Sequence, residues 1–142
     1  MSDDGPAGER DLAALLADVF PSLIGMEEPI LADAGLSMWE YAIMTVLDQD
    51  DAVSQVELSR RSHRDPTRLG RHLDDLGARG LVTRTRAQDG RQRTVGLTDE
   101  GRVLHRDTKR RIRAAEDEYL GDRLSAADGA LLRDLLRRLA ES

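Results

Sequence analysis

Apolar residues recur at steps of three and four near the start of the chain, which is the spacing of one face of an α-helix. Pro21 and Pro29 interrupt this series, and each proline removes a backbone hydrogen-bond donor. The sequence therefore predicts one kinked helix or two stacked helical pieces, ended by Gly35, and not a straight rod. The apolar positions of this segment are Leu12, Leu15, Leu16, Val19, Leu23 and Ile30.

The next segment, residues 38–47, is apolar over most of its circumference and follows Ser37. Serine is a favoured N-cap because its side-chain oxygen accepts a hydrogen bond from one of the first amides of the helix. The sequence therefore predicts a second helix here. A helix this apolar belongs in the centre of the core.

Two short helices separated by a three-residue turn follow, an arrangement that is typical of a helix-turn-helix. Ser54 and Glu57 have the spacing of a capping box and begin the first helix, which ends near Ser62. Asp65 and Pro66 begin the second, since aspartate suits the N-cap and proline suits the first helical position.

From Val82 the alternation of side chains changes to a period of two, which is typical of a β-strand. A second β-branched run covers residues 94–97, and Gln88, Asp89 and Gly90 supply turn residues between the two runs. The sequence therefore predicts a β-hairpin with an arginine-rich tip.

The remainder of the chain predicts two further helices. Thr98 caps a long, highly charged helix that extends to about Tyr119, and Ser125 begins a final one. This final helix carries more leucines than a terminal surface helix should expose, so they need a partner surface. They are Leu131, Leu132, Leu135, Leu136 and Leu139.

Composition excludes several classes of function. The chain has no cysteine, which rules out a disulfide framework, a thiolate metal site and a thiol redox switch. Residues 1–10 look disordered and lack the features of a secretory signal, and no stretch approaches the roughly 20 apolar residues of a membrane span. We therefore expect a cytoplasmic protein.

The three histidines, His63, His72 and His105, match no catalytic motif, and no phosphate-binding loop or metal-spaced cluster is present. The sequence thus predicts neither an enzyme nor a cofactor or metal. His72 with Asp75 is either half of a metal site or an exposed polar pair.

The net charge of −6 argues against a surface devoted wholly to nucleic acid, but the charge is unevenly distributed. Residues 60–93 contain ten arginines and four acidic residues, so this segment carries +6 and the rest of the chain −12. A basic block on a helix-turn-helix and a hairpin is typical of double-stranded DNA binding. The alternative is a solvated surface in an arginine-biased composition, since the chain has twenty arginines and one lysine.

At this point the motifs resemble the multiple antibiotic resistance regulator (MarR) family over nearly the whole chain. The motifs are Leu36-Ser37 with Glu40-Tyr41, Leu76-x-x-x-Gly80-Leu81-Val82, and Asp89-x-Arg91-x-x-x-Val95-x-Leu97-Thr98-x-x-Gly101. The resemblance implies a mainly α-helical winged helix-turn-helix with a β-hairpin wing, and a homodimeric repressor of transcription. It assigns residues 36–101 to the DNA-binding lobe and residues 11–35 and 102–142 to a helical dimerisation region.

The resemblance also implies the DNA contacts. The helix 66–79 is similar to the family's major-groove recognition helix, and the face with Thr67, Arg68 and Arg71 is expected to meet the DNA. For Arg68 and Arg71 both base contact and plain phosphate contact remain open, while His63 and Arg64 are expected to meet phosphates.

In the wing, Asp89 and Arg91 match the family motif, in which the aspartate orients the arginine toward the minor groove. Gly90 stands where the family often has a second basic residue, so the wing is expected to rely on Arg91 and Arg93. Arg84 and Arg86 are either phosphate contacts or solvated edge residues.

Many members of the family resemble sensors that release DNA when a small aromatic molecule binds. The residues expected to contact such an effector are Met26, Met38, Trp39, Tyr41 and Ile43, and the alternative is that these are ordinary core residues. Two functions follow for testing. One is a dimeric regulator bound to an inverted-repeat operator, and the other is a winged-helix protein interaction module without DNA binding.

Overall fold

The computed structural model describes residues 9–86 and 93–141. It confirms the prediction of a mainly helical chain with a small β element. In chain order the elements are α1 (Leu12–Ala34), α2 (Met38–Gln49), β1 (Val53–Ser54), α3 (Gln55–Ser62), α4 (Pro66–Ala78), β2 (Val82–Arg86), β3 (Arg93–Leu97), α5 (Asp99–Gly121) and α6 (Ala126–Ala140).

The chain divides into two compact units. One unit, here called the lobe, is Ile30–Arg113, and the other, the terminal unit, comprises the chain up to Pro29 together with the chain from Ala114 onward. The lobe contains the helix-turn-helix and the sheet around one hydrophobic core, in which α2 is central, as the sequence predicted. The fully buried apolar side chains of this core are Ile43, Met44, Leu47, Leu58, Leu69, Leu73, Leu76 and Val95.

The first helix continues through both of its prolines, so the alternative of two stacked pieces is wrong. Each proline removes the hydrogen bond to the carbonyl four residues earlier, on Ala17 and Gly25. Those residues and both prolines are exposed, so neither proline leaves an unpaired carbonyl at a buried residue. The helix ends as predicted at Gly35, whose φ of +71° allows the Leu36 amide to bond the Leu31 carbonyl at 2.9 Å.

The predicted N-caps Ser37, Ser54 and Asp65 are confirmed, but the capping box predicted for Ser54 and Glu57 is only half formed, because the Glu57 carboxylate accepts from Arg60 instead. Ser37 and Glu40 form a reciprocal capping box at the start of α2, with distances of 3.0 and 2.9 Å. The Ser54 hydroxyl accepts from the Glu57 amide at 3.1 Å, and Asp65 accepts from the Arg68 amide at 3.0 Å, with Pro66 at the first position of α4.

The wing is a three-stranded antiparallel sheet in the order β1-β3-β2. Both predicted strands are present and pair with Val82 opposite Leu97. The third strand, β1, pairs Val53 with Val95; its two residues are too few for a periodicity to show in the sequence. The predicted turn at 88–90 lies outside the described residues.

Within the terminal unit, α6 begins at the predicted cap Ser125. The parts of α1, α5 and α6 that belong to this unit line an apolar groove with a volume of about 640 Å³. The leucines at 132 and 136 line this groove, whereas those at 131, 135 and 139 do not, yet all five are exposed. The terminal unit therefore leaves two apolar strips of α6 uncovered, one along the groove and one, formed by the leucines at 131, 135 and 139, outside it.

No single helix within residues 9–86 and 93–141 is long and apolar enough to cross a membrane. Helices α1 and α2 taken together pass a test of length and composition alone, but α2 forms the buried centre of the lobe.

Candidate nucleic-acid interface

Helix α4 separates an apolar face from a polar one. Leu69, Leu73 and Leu76 are buried in the lobe core. Thr67, Arg68 and Arg71 are exposed on the other side, where their spacings of three and four put them on one face. The structure thus brings together the three residues expected to face the major groove.

The two arginines of this face differ in their environment. Arg68 Nε lies 3.4 Å from the Asp65 carboxylate that caps the same helix, and both side chains are more than half exposed. The hydrogen bond from the Arg68 amide lowers the pKa of Asp65, so this carboxylate stays charged beside the guanidinium. Arg71 has no ion pair with any residue that the structure describes, so its charge is uncompensated there.

The turn between α3 and α4 is tight because His63 adopts a left-handed conformation, with φ +58° and ψ +35°. Its side chain is exposed. The guanidinium of Arg64 lies 3.9 Å above the centre of the Trp39 ring, and its Nε donates to His72 Nε2 at 3.4 Å. His72 is therefore a partner of Arg64, while Asp75 lies beside Arg79 at 3.4 Å.

Much of the basic block is neutralised inside the lobe. Arg60 pairs with Glu57, Arg61 with Asp50, Arg79 with Glu40, and Arg84 with Asp74. The local excess of arginine counted from the sequence therefore overstates the charge that is available to a partner. Among the described residues of the block, Arg64, Arg71 and Arg93 make no ion pair with another residue that the structure describes.

In the wing, Arg93 is exposed at the beginning of β3. Asp89, Gly90 and Arg91 lie outside the described residues. Arg84, which the sequence left as either a phosphate contact or a solvated edge residue, is mostly covered through its pair with Asp74.

The five residues expected to contact an effector are not brought together in one described cavity. Ile43 is fully buried in the lobe core, while Trp39 and Tyr41 are half-buried and Met38 is exposed. Met26 belongs to the terminal unit. None of the five lines the groove of the terminal unit or the shallow acidic cavity beside Val103 in the lobe.

The sequence did not predict a buried polar cluster around His105 of α5. This side chain has no exposed surface and stacks on the Tyr41 ring, with 5.1 Å between ring centres. Thr45 donates its hydroxyl hydrogen to the Tyr41 carbonyl at 2.9 Å, so its oxygen accepts from His105 Nε2 at 3.0 Å. Nε2 therefore carries a proton, and Nδ1, 3.8 Å from Asp48, has no hydrogen-bond partner among the residues that the structure describes.

The signal for this cluster was the spacing of Gly101, His105, Thr108 and Ile112, all of which are buried on α5. Steps of four, three and four mark one helical face. Histidine is seldom a core residue, so this spacing alone did not predict that His105 is buried.

Burial lowers the pKa of His105; the nearby Asp48 opposes this effect and Lys109 adds to it. As the pH decreases, His105 therefore binds a proton more readily in the unfolded chain than in the folded lobe. We expect the free energy of unfolding to fall as the pH decreases from about 6.5, by at most about 1.4 kcal/mol per pH unit for this one proton.

Urea titrations of the wild type and of His105→Gln between pH 7.5 and 5 measure this effect. The glutamine variant should show a shallower pH dependence, because its side chain donates to Thr45 without titrating. His63→Gln, at an exposed histidine, is the control and should keep the wild-type slope. Equal slopes for His105→Gln and the wild type would contradict the prediction.

Comparison with known proteins places these features in a family. The sequence model of the MarR family matches residues 36–92. The uncharacterized HTH-type transcriptional regulator YdgJ of Bacillus subtilis (strain 168) is 33% identical over 109 residues, which are 76% of this chain and 66% of that protein. The chain thus spans just under two thirds of the length of YdgJ. The HTH-type transcriptional repressor Rv2887 of Mycobacterium tuberculosis (strain H37Rv) is 29% identical over 140 residues, 98% of this chain and 96% of that protein.

Solved structures of similar fold include further members of this family of regulators. The Rv2887 protein in complex with DNA has a TM-score of 0.78 and 27% identity, over 92% of this chain and 98% of that chain. CouR from Rhodococcus jostii RHA1, bound to p-coumaroyl-CoA, has a TM-score of 0.76 and 28% identity, over 92% of this chain and 91% of that chain.

Proposed function

The chain belongs to the MarR family of transcriptional regulators, and we propose that it acts as a homodimeric repressor that binds an inverted repeat in double-stranded DNA. The observation that carries this proposal is the exposed face of α4. It presents Thr67, Arg68 and Arg71 opposite a fully buried leucine stripe, and the charge of Arg71 is uncompensated by the described residues. A relative of nearly the same length, Rv2887, has been solved with DNA.

In this proposal α4 enters the major groove. An arginine guanidinium can donate two hydrogen bonds to a guanine edge, and a threonine methyl can contact thymine, so Arg68, Arg71 and Thr67 are the proposed reading residues. His63 in the turn and Arg93, at the end of the paired strands next to the hairpin turn, are proposed to contact phosphates. Asp89 and Arg91 are proposed to act as the family motif implies, with the arginine in the minor groove.

The dimer is supported by the apolar surface of the terminal unit. Large apolar side chains on α1 and α6 are exposed there beside one apolar groove, and we propose that a second copy covers them. In an isologous interface the outward leucines of one α6 can cover the groove of the partner, and the reverse contact follows by symmetry. Two recognition helices related by this axis would reach successive major grooves, roughly 34 Å apart.

The regulatory part of the proposal is release from DNA by a small aromatic effector. It is supported by CouR, whose structure holds p-coumaroyl-CoA. On the lobe, Met38, Trp39 and Tyr41 are the proposed contacts, because they retain exposed surface. Ile43 is completely buried and can act only through the packing of the core.

Selection of bound sequences from a random DNA pool tests the proposal. We expect an inverted repeat whose half-site centres are about one helical turn apart, bound with a strong dependence on salt concentration. Recovery of no sequence, with no retention of duplex DNA even at low salt, would instead favour the protein interaction module.

Alanine variants then separate base reading from phosphate contact. Arg68→Ala or Arg71→Ala should lower affinity for the selected site by about 1–3 kcal/mol and flatten the preference at one base position. Arg106→Ala, an exposed arginine on α5, is the control for loss of charge. Equal losses on the selected site and on scrambled DNA would mean that neither arginine reads a base.

A further inference from the structure

We infer that Trp39 is a positioning residue for DNA binding, which holds the guanidinium of Arg64 ready for a backbone phosphate. This inference rests on the proposed function. It assigns to Trp39 a role that does not depend on an effector.

The contact fixes the arginine from several directions. One face of the guanidinium covers the Trp39 ring at 3.9 Å, and Nε is used by His72 of α4 at 3.4 Å. The backbone is held as well, because the Arg64 amide donates to the Ser59 carbonyl at 3.2 Å and the Ser59 hydroxyl donates to the Arg64 carbonyl at 2.5 Å. Arg64 is thus immobilised between α2 and α4 before any DNA arrives.

What remains of this guanidinium is suited to a phosphate. Its Nη1 and Nη2 make no hydrogen bond or ion pair with any residue in the described ranges. The Asp65 carboxylate, whose pKa Arg64 helps to lower, acts on the guanidinium only from beyond ion-pair distance. A planar guanidinium presents these N–H groups as a fork that matches two phosphate oxygens. Ordering the side chain in the free protein removes much of the conformational entropy that binding would otherwise lose.

The position in the chain supports the same role. Arg64 lies in the turn of the helix-turn-helix, directly before the N-cap of α4. Its partner His72 follows Arg71, a proposed reading residue, on the same helix. The Trp39 contact therefore sets the position of a proposed phosphate contact relative to the reading face.

Fluorescence of the free protein tests the contact itself, since Trp39 is the only tryptophan of the chain. Arg64→Ala should change the emission of Trp39. Arg123→Ala is the matched control: it removes a guanidinium that lies 4.0 Å above the Tyr119 ring in the terminal unit, and it should leave the tryptophan emission unchanged. Identical spectra for Arg64→Ala and the wild type would overturn the inference.

A double-mutant cycle on DNA tests the positioning role. On the selected operator, Arg64→Ala should reduce the salt slope by about one unit, as the loss of one phosphate contact requires. Trp39→Leu should weaken binding about three- to tenfold in the wild-type background and have no further effect in the Arg64→Ala background. Trp39→Phe keeps an aromatic ring, so it should weaken DNA binding less than Trp39→Leu does, and it should likewise have no further effect in the Arg64→Ala background. This variant preserves the test if the leucine variant does not fold.

Two outcomes would overturn the inference while leaving the proposed function intact. Equal losses from Trp39→Leu in both backgrounds would show that Trp39 acts through the fold and not through Arg64. An unchanged salt slope for Arg64→Ala would show that this arginine meets no phosphate. Failure of the proposed function is distinct from both, because the wild-type protein would then not bind the duplex at all.

Discussion

Replacing both Leu135 and Leu139 with aspartate is expected to convert the protein into a monomer and to weaken operator binding by about a hundredfold or more, because two linked half-site contacts become one. These side chains are 42% and 65% exposed and do not line the groove of their own terminal unit. The carboxylates would therefore be hydrated in the monomer and would be buried without partners only in the dimer. Sedimentation and operator titration measure the two effects.

Arg138→Asp provides a matched control for this variant. It lies on α6, is exposed, and changes the net charge by the same amount as the two leucine substitutions. It should remain dimeric and bind the operator. A double aspartate variant with the mass and affinity of the wild type would show that this strip of α6 lies outside the interface.

The second large effect is expected from Gly101→Ala, which should destabilise the lobe by about 3 kcal/mol or more. A Cβ atom at Gly101 would lie 2.1 Å from the carbonyl oxygen of Leu81, which is backbone and cannot rotate away. The same region is fixed by two further bonds, from the Thr98 amide to Leu81 at 3.1 Å and from the Thr98 hydroxyl to Gly80 at 2.7 Å. The start of α5 would have to separate from Leu81, which lies between α4 and β2.

Gly77→Ala is the control for this prediction, since it makes the same substitution in α4 where an added Cβ meets nothing within 4 Å. It should raise the free energy of unfolding by about 0.5–1 kcal/mol, because alanine has the higher helix propensity. Urea denaturation compares the two variants. Similar stability for the two would mean that the chain relaxes around Gly101 at little cost.

Local signals predicted most of the fold. Ser37, Ser54, Asp65 and Ser125 all cap the helices that they were expected to cap, because capping depends on residues only two or three positions away. Gly35 was also predicted correctly, since it ends α1 with the positive φ expected of a glycine at the C-terminus of a helix. The face of α4 was predicted for the same reason, since helical periodicity is a property of the segment itself.

Features that depend on distant residues were not predicted. The stacking of Arg64 on Trp39 joins the turn before α4 to α2, and these two segments are too far apart in the sequence to leave a local pattern. The pairing of Arg84 with Asp74 requires that β2 pack beside α4. The charge count of residues 60–93 therefore measured total charge and not the charge left uncompensated after folding. The burial of His105 had a periodic signal, but its partners on α2 had none.

Ser54 belongs to two elements at once, which protects the lobe against a register error. Its backbone pairs with Thr94 in the sheet, and its hydroxyl caps α3. A slip of one residue between β1 and β3 would turn Val53 from the core to solvent. Because the Ser54 cap joins β1 to the first turn of α3 without an intervening loop, α3 would be carried along with the slipped strand and its buried residue Leu58 would leave the core as well.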